Sequence, residues 1–233
     1  MNTTIIRQSE VNVLLQNKLS EEDIRTSSET VSRSAAKNQI LLDIIVHRNL
    51  PDTGVYDFGK FVVPEGSVTA DIMFVLDPPS ALEGSAHTSM FGADGRLMTV
   101  ILDKLGLRRD SVYITHISKY FIKSEDQTEA SYDCGARFLL PEIDLVKPKM
   151  IVTLGDTAMK VVRGLLMSSE EEVELSSVRG KVFKGSLLNQ EMFVVHATNP
   201  RDVLEKQGSM YTKYKTDLWG DVSGAYSYMT ESK

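Results

Sequence analysis

The sequence predicts an α/β fold: a single domain built on a central, mostly parallel four-stranded sheet with helices on both faces. Short, unbroken apolar runs, typical of strands that are buried on both faces, recur along the chain. Stretches with helical spacing of apolar residues separate these runs, and strands that alternate with helices form parallel sheets. The four strands are predicted at residues 72–76, 112–117, 150–154 and 192–196, and residues 60–63 could add an edge strand.

The helices are predicted from apolar spacing and from the residues that end them. The first firm helix, residues 34–48, places Ile40, Ile44 and Ile45 on one face. The others are predicted at residues 97–105 with a C-cap glycine at 106, at 128–146 with a kink or break at Pro141, at 157–162 after a capping Asp156, and around 210–218. Glycine-punctuated residues 178–185 predict a hairpin or a loop.

The composition indicates one globular domain with appendages. The chain has 233 residues, of which 42% are hydrophobic and 25% charged, as in an ordinary soluble protein. We divide it into an N-terminal helical or partly disordered extension (1–40), an α/β domain (41–222) and a flexible tail (223–233). No apolar run reaches transmembrane length and no basic-then-apolar leader is present, so we expect a cytoplasmic protein without membrane contact.

Charge and cysteine content narrow the possible functions. The net charge of −6 argues mildly against nonspecific coating of DNA, although a local basic groove stays possible. A single cysteine, Cys134, excludes an internal disulfide and an all-cysteine metal site within one chain. This suits a reducing compartment.

The stretch DIMFVLDPPSALEGSAHTSMFGADGRL, residues 71–97, carries the first functional indication. A buried strand ends in Asp77, which is followed by two prolines and by a long polar loop that contains Met90 and Phe91. Ligands of parallel α/β sheets bind beyond the carboxyl ends of the strands. Asp77, His116, Gly155 and residues 196–199 are therefore predicted to line one rim.

The residues resemble the uracil-DNA glycosylase superfamily, and most of all its iron–sulfur branches, families four and five. The similarity covers about residues 57–219. It is carried, in order, by DIMFVLDPPS, residues 91–95, DSVYITHISKY, FLLPEIDLVKPKMIVTLGDTAMK, VRGKVF and FVVHATNPRDVL. The most specific part is the Lys-Pro-Lys, apolar strand and Leu-Gly pattern in residues 139–160. The resemblance implies a DNA-binding protein that flips a base out of the helix.

The chemistry of such enzymes defines four roles for side chains. Breaking a base–sugar bond builds positive charge on the sugar and negative charge on the departing pyrimidine. The site needs a polar group or carboxylate that orients water near the sugar, and a donor aimed at the base oxygen. The flipped base is held on an aromatic ring and recognised along its pairing edge.

The resemblance assigns two catalytic residues and one secondary candidate. Asp77 takes the place of the acidic residue in the family's Gly-Glu-Ala-Pro-Gly-like loop, with one methylene fewer. Asn199 falls where the family has the histidine of its His-Pro-Ser loop, and it can donate an amide hydrogen bond to a base oxygen. His196, three residues upstream, is a possible secondary residue.

The resemblance also assigns contacts with the base and with DNA. Phe91 matches the spacing of the stacking aromatic, His116 replaces the base-reading asparagine, and Pro79 belongs to the loop that lines the base. Pro200, Arg201 and Leu204 are expected to contact DNA, and Leu204 lies where the family inserts a wedge into the duplex. A partner protein in replication or repair could bind the N-terminal extension.

The cluster of the iron–sulfur branches is not expected here. Those branches bind four irons through four cysteines, whereas Tyr120 stands at one such position and Cys134 alone remains. One thiolate cannot hold a cluster. The sequence predicts no metal and no cofactor, with apolar packing around Tyr120 instead.

Ordinary structural interpretations stay open beside these assignments. Asp77 could be a turn residue before prolines, Phe91 a core residue and His116 a hydrogen-bonded structural histidine. Residues 210–215, MYTKYK, could form an aromatic–basic surface for nucleic acid, but their spacing favours core packing with solvated lysines.

Three functions remain as alternatives. The first is an enzyme that excises uracil or a related modified pyrimidine without a metal. The second is a catalytically degenerate module that serves as a replication accessory or a protein-interaction scaffold. The third, a nucleotide-binding protein, lacks a glycine-rich phosphate loop.

Overall fold

A six-stranded mixed sheet forms the centre of the computed structural model, which describes residues 21–45, 50, 54–123, 127–167 and 173–231. The strands are β1 (Tyr56–Phe61), β2 (Glu65–Gly66), β3 (Ile72–Leu76), β4 (Tyr113–His116), β5 (Tyr120–Ile122), β6 (Met150–Leu154), β7 (Val182–Leu187) and β8 (Gln190–Ala197). The order in the sheet is β2-β4-β3-β6-β8-β7, and β1 pairs with β5 in a separate antiparallel ribbon.

The four predicted strands are the parallel centre of this sheet. Strands β4, β3, β6 and β8 run parallel to one another, while β2 and β7 add an antiparallel edge on each side. The α/β prediction is thus confirmed, but the sheet has six strands rather than four. The difference lies in β2, which is two residues long, and in β7, which begins in the segment predicted as a hairpin or loop and pairs with β8 as a hairpin.

Nine helices are described in the same part of the chain: α1 (Glu21–Ile45), α2 (Ala81–Ala86), α3 (Ala93–Lys104), α4 (Thr128–Cys134), α5 (Leu140–Val146), α6 (Asp156–Met167), α7 (Leu175–Val178), α8 (Pro200–Glu205) and α9 (Gly208–Glu231). A short 3-10 turn precedes β4, and a π-helical turn, Gly135–Leu139, joins α4 to α5. The predicted break at Pro141 therefore takes the form of a wider turn just before the proline, where the Leu140 N–H bonds to the Gly135 carbonyl.

The two faces of the sheet hold separate apolar cores, because successive side chains of a strand point to opposite faces. On one face, Phe74 and Leu76 of β3 pack with residues of α3 and α9. On the other face, Met73 and Val75 pack with residues of α5 and α6. Helices on both faces leave the carboxyl ends of the four parallel strands at one edge, which is where the candidate site lies.

The first and last helices of the described chain are longer than the sequence predicts. Residues 1–20 of the predicted extension lie outside the described residues, whereas α1 joins the domain through Arg33, which donates to the carbonyls of Val68 and Val146. Residues 223–231, expected as a flexible tail, are the last turns of α9, because Val222 and Met229 pack into the core. The division at residues 40 and 222 remains a prediction.

Candidate active site at the carboxyl edge of the sheet

Asp77 lies at the end of β3, where its carboxylate bridges two neighbouring elements. Its backbone N–H continues the sheet by donating to the Leu154 carbonyl at 3.2 Å. Its Oδ1 accepts the backbone N–H of Ala158, in the first turn of α6, at 2.8 Å. Its Oδ2 accepts from Nδ2 of Asn199 at 3.1 Å. The strand-end carboxylate is therefore fixed in position rather than mobile in a loop.

The environment of Asp77 sets its acidity. Burial raises the pKa of the carboxyl group to about 6, although the hydrogen bonds from Ala158 and Asn199 favour the charged form and limit the rise. At neutral pH the group is mostly ionised and can still take up a proton. A carboxylate with these properties can orient a water molecule and act as a general base.

Asn199 ties three parts of the rim together. It is 4% exposed and caps α8, where its Oδ1 accepts the backbone N–H of Arg201 at 2.9 Å. Its Nδ2 donates to Asp77 and also to the Leu154 carbonyl at 3.3 Å. An amide nitrogen carries two protons, so both are engaged in this structure. Asn199 thus holds Asp77, and donation to a base would require one of these bonds to open.

His116, the last residue of β4, belongs to the same group. Its Nδ1 lies 2.6 Å from the Asp77 carbonyl oxygen, which can only accept, so this nitrogen carries the proton. Burial lowers the pKa of His116 to about 4, against the opposing effect of nearby Glu83. A neutral imidazole with a proton on Nδ1 has an acceptor lone pair on Nε2, which makes no hydrogen bond within the described part of the chain.

Glu83 is a member of the site that sequence reasoning missed. It is fully buried and accepts from the Ser80 N–H, the Ser80 hydroxyl, the Met90 N–H and Nη2 of Arg201. Its Oε1 lies 3.8 Å from Nε2 of His116. Burial alone would raise the pKa of Glu83, but the hydrogen bonds from Ser80 and the charge of Arg201 hold it below the usual value. The Ser-x-x-Glu spacing of a helix capping box was the available signal.

The two apolar residues of the polar loop take opposite orientations. Met90 is 3% exposed and belongs to the core, whereas Phe91 is 46% exposed. Met90 has a positive φ. Its carbonyl oxygen lies so close to Gly95 that a β-carbon on residue 95 would collide with this oxygen. Phe91 is thus held at the surface by a buried neighbour, and its role in base stacking stays a prediction. Pro79 is buried between Asp77 and the start of α2.

His196 lies outside the group formed by Asp77, His116 and Asn199 as the structure describes it. Its Nδ1 is 2.8 Å from Oγ1 of Thr153, and its ring is 5.4 Å from that of Phe183. Burial lowers the pKa of His196 to about 3, with a further contribution from Arg163. The imidazole is therefore neutral and packed in the core beneath the rim.

The predicted DNA contacts all lie on α8. Pro200 is buried in the first turn of the helix, where its missing N–H is not needed. Leu204 is 38% exposed. Arg201 donates to Oε2 of Glu83 at 2.7 Å and so connects α8 to α2 across the rim.

Comparisons with known proteins identify the family of the chain. The family model of the uracil DNA glycosylase superfamily matches residues 63–223, which is more than half of the chain, and the protein belongs to this superfamily. It is similar to curated proteins named Type-4 uracil-DNA glycosylase. That of Pyrobaculum aerophilum is 28% identical over 73% of this chain and 87% of its own length. That of Sulfurisphaera tokodaii is 32% identical over 64% of this chain and 69% of its own length.

Tyr120, which the resemblance sets at the position of a cluster cysteine, lies in an aromatic cluster. Tyr120 is fully buried, its hydroxyl donates to the Ile44 carbonyl at 2.6 Å, and its ring contacts Phe58 edge-on. Cys134 is buried, its sulfur accepts the Lys119 N–H, and burial raises the pKa of the thiol. This region does not fit an iron–sulfur cluster. Within the described ranges, no three His, Cys, Asp or Glu residues are grouped so as to bind a metal.

Helix length and hydropathy bear on membrane contact. In the portion of the chain that the structure describes, no helix combines the length and the apolar character that crossing a bilayer requires.

Proposed function

We propose that this protein removes uracil, or a related modified pyrimidine, from DNA by hydrolysing the N-glycosidic bond after the base has flipped out of the helix. The observation that carries the proposal is the fixed carboxylate of Asp77 at the carboxyl edge of the sheet. The relatives' name, Type-4 uracil-DNA glycosylase, supports the same activity. It favours an enzyme over a degenerate binding module.

Asp77 acts on the sugar side of the reaction. As the bond between C1′ and the base nitrogen breaks, both electrons go to the base and positive charge develops on the sugar. The ionised carboxylate stabilises that charge and orients a water molecule for attack on C1′. Its pKa of about 6 suits uptake of a proton from this water.

Asn199 contributes to catalysis by holding Asp77. Its amide fixes the carboxylate at 3.1 Å and the end of β6 at 3.3 Å, so the attacking group needs little reorganisation during the reaction. A residue that acts in this way is a positioning residue.

The base would be held by Phe91, His116 and Pro79. Phe91 offers an exposed ring for stacking. The Nε2 lone pair of His116 is buried beside Glu83, and it would accept the N3–H of uracil once α2, which carries Glu83, moves aside. Pro79 limits the space beside the flipped base. In the duplex, Pro200, Arg201 and Leu204 on α8 would contact DNA, with Leu204 as the apolar wedge.

The remaining parts of the proposal concern partners and location. DNA is the substrate, and residues 1–40 would bind a replication or repair protein. We assign the protein to the cytoplasm. The reaction described above needs no metal and no cofactor.

Single-turnover excision from an oligonucleotide with one uracil tests the function. We expect an alkali-sensitive abasic site with the wild type and a rate at least about 100-fold lower with Asp77→Ala, because the carboxylate stabilises the transition state more than the bound substrate. DNA affinity should stay nearly unchanged. No abasic product with excess wild-type enzyme, and equal affinity for DNA with and without uracil, would contradict the proposal and favour the binding module.

A further inference from the structure

The reaction proposed above needs a hydrogen-bond donor near the departing base, and a positively charged donor serves it best. The pyrimidine leaves with the electron pair of the broken bond, and a charged donor stabilises the resulting anion better than a neutral one. Asn199 has both amide protons engaged on Asp77 and Leu154. His116 donates its one proton to the Asp77 carbonyl. Neither residue, as placed, supplies that charge.

We propose that Arg201 supplies it, by donating a guanidinium N–H to an oxygen of the departing pyrimidine. This inference rests on the proposed function. It goes beyond the sequence-based assignment, in which Arg201 contacts DNA, because it places the guanidinium against the departing base during bond cleavage.

The position of Arg201 is fixed by a buried partner. Its Nη2 donates to Oε2 of Glu83 at 2.7 Å, and Glu83 is held in turn by Ser80 and Met90. The side chain of Arg201 nevertheless keeps 35% of its surface exposed. Among the described residues, the Arg201 side chain hydrogen-bonds only to Glu83. Its remaining guanidinium protons can therefore donate to a ligand. An anchored, accessible cation of this kind is preorganised for a developing negative charge.

The charge of Arg201 also affects the pKa values of the other titratable residues of the site. It lowers the pKa of His116 and of Glu83, and it opposes the rise that burial causes in Asp77. The second cation that acts on His116 is Lys119. Lys119 is fully buried, and its three protons are engaged by Thr115, the His116 carbonyl and Glu142. Of these two cations, Arg201 is the one with donors to spare.

The step balances without a further reactant. The bond between C1′ and N1 breaks, and both electrons go to the base. Arg201 keeps its proton and only shares it in a hydrogen bond with the base oxygen. The water oxygen bonds to C1′, one water proton passes to Asp77 and then to solvent, and the released base anion takes a proton from solvent.

The test compares two leaving groups in single-turnover excision: uracil and 5-fluorouracil, whose anion is more stable. With Arg201→Gln we expect uracil excision to slow by about 100-fold or more, the typical effect of losing one oxyanion donor. The loss should be at least about 10-fold smaller for 5-fluorouracil, because a better leaving group depends less on external charge. Arg201→Lys should recover part of the rate.

Two control variants separate this role from DNA binding and from folding. Lys206→Gln removes one positive charge near the same helix, where Lys206 lies over the Tyr214 ring, and should leave the preference between the two bases unchanged. The double variant Glu83→Gln/Arg201→Gln leaves no unpaired buried carboxylate. We expect it to remain as defective as Arg201→Gln with uracil.

Several outcomes would overturn the inference. Equal losses for both bases, or a loss that vanishes at saturating enzyme, would make Arg201 a DNA contact only. Recovery in the double variant would attribute the defect to the unpaired Glu83. If the wild type excises neither base, the proposed function fails and this inference fails with it, whereas an active wild type with an unimpaired Arg201→Gln variant refutes the inference alone.

Discussion

Oδ2 of Asp77 lies 1.9 Å from the point where a β-carbon on Gly155 would stand. The carboxylate therefore occupies the space that a side chain at residue 155 would fill. Gly155 also has a φ of +116°, which side chains disfavour. The Leu-Gly-Asp turn after β6 therefore has to leave room for the carboxylate at the end of β3.

Gly155→Ala should displace Asp77 and strain the turn. We expect the free energy of unfolding to fall by about 1–3 kcal/mol and uracil excision to fall at least about 10-fold. Chemical denaturation and single-turnover excision measure the two effects. Gly220→Ala is the matched control, since a β-carbon there meets open space inside α9, and it should stabilise the protein by about 0.5–1 kcal/mol. Unchanged stability and excision in Gly155→Ala would refute the predicted collision.

The pH dependence of excision should follow the ionisation of Asp77. Burial raises the pKa of this group to about 6, and the charged form is the active one. The single-turnover rate should therefore rise about tenfold per pH unit below pH 6 and level off above it. His116 stays neutral above about pH 4 and should add no second step in this range. A rate that is independent of pH between about 5 and 7 would remove Asp77 as the base, provided that Trp219 fluorescence shows the fold to be intact.

Phe91→Ala should abolish the preference for uracil-containing DNA without unfolding the protein. The ring is 46% exposed, so its removal leaves no cavity, but stacking on a flipped base is worth about 1–3 kcal/mol. Competition binding with oligonucleotides that differ in one base measures this preference. Met90→Ala is the contrasting variant, because Met90 is buried and its loss should lower stability by about 2–5 kcal/mol. A preference that survives in Phe91→Ala would exclude Phe91 as the stacking residue.

The sequence was sufficient for the parallel centre of the sheet and for one side of the site. Strands such as β3 and β6 are wholly buried, so an unbroken apolar run identifies them. The carboxyl ends of adjacent parallel strands meet at one edge, which brings Asp77 and His116 together. Strand β2 was not predictable in this way, because two residues give no periodicity.

Local patterns could not show which partners meet across the rim. The Ser80 and Glu83 spacing indicates a helix cap, but the bond from Glu83 to Arg201 joins residues far apart in the chain. The engagement of both Asn199 amide protons likewise depends on where Leu154 ends its strand. His196 appeared close to the site because it is near in sequence, yet it points to the face of the sheet that carries Thr153.

The purified protein should be colourless and contain no stoichiometric iron. The chain has one cysteine, and the sulfur of Cys134 is buried beside the Lys119 backbone. A single buried thiol cannot hold a four-iron cluster. Iron analysis and visible absorption of protein purified without added metal check this. A brown preparation with several irons per chain would contradict it.

Tyr120→Phe should weaken the attachment of α1 without affecting excision. The Tyr120 hydroxyl donates to the Ile44 carbonyl at 2.6 Å, near the end of that helix. Removing the hydroxyl leaves a buried carbonyl without this donor, which should lower the free energy of unfolding by about 1–2 kcal/mol. Tyr211→Phe is the control, because the ring of Tyr211 contacts Lys215 and the change should stay within about 0.5 kcal/mol. Since Tyr120 packs with Phe58 and Phe138 in the apolar cluster around Ile44, the excision rate should match that of the wild type. A loss of excision at unchanged stability would show instead that the aromatic cluster acts on the site itself.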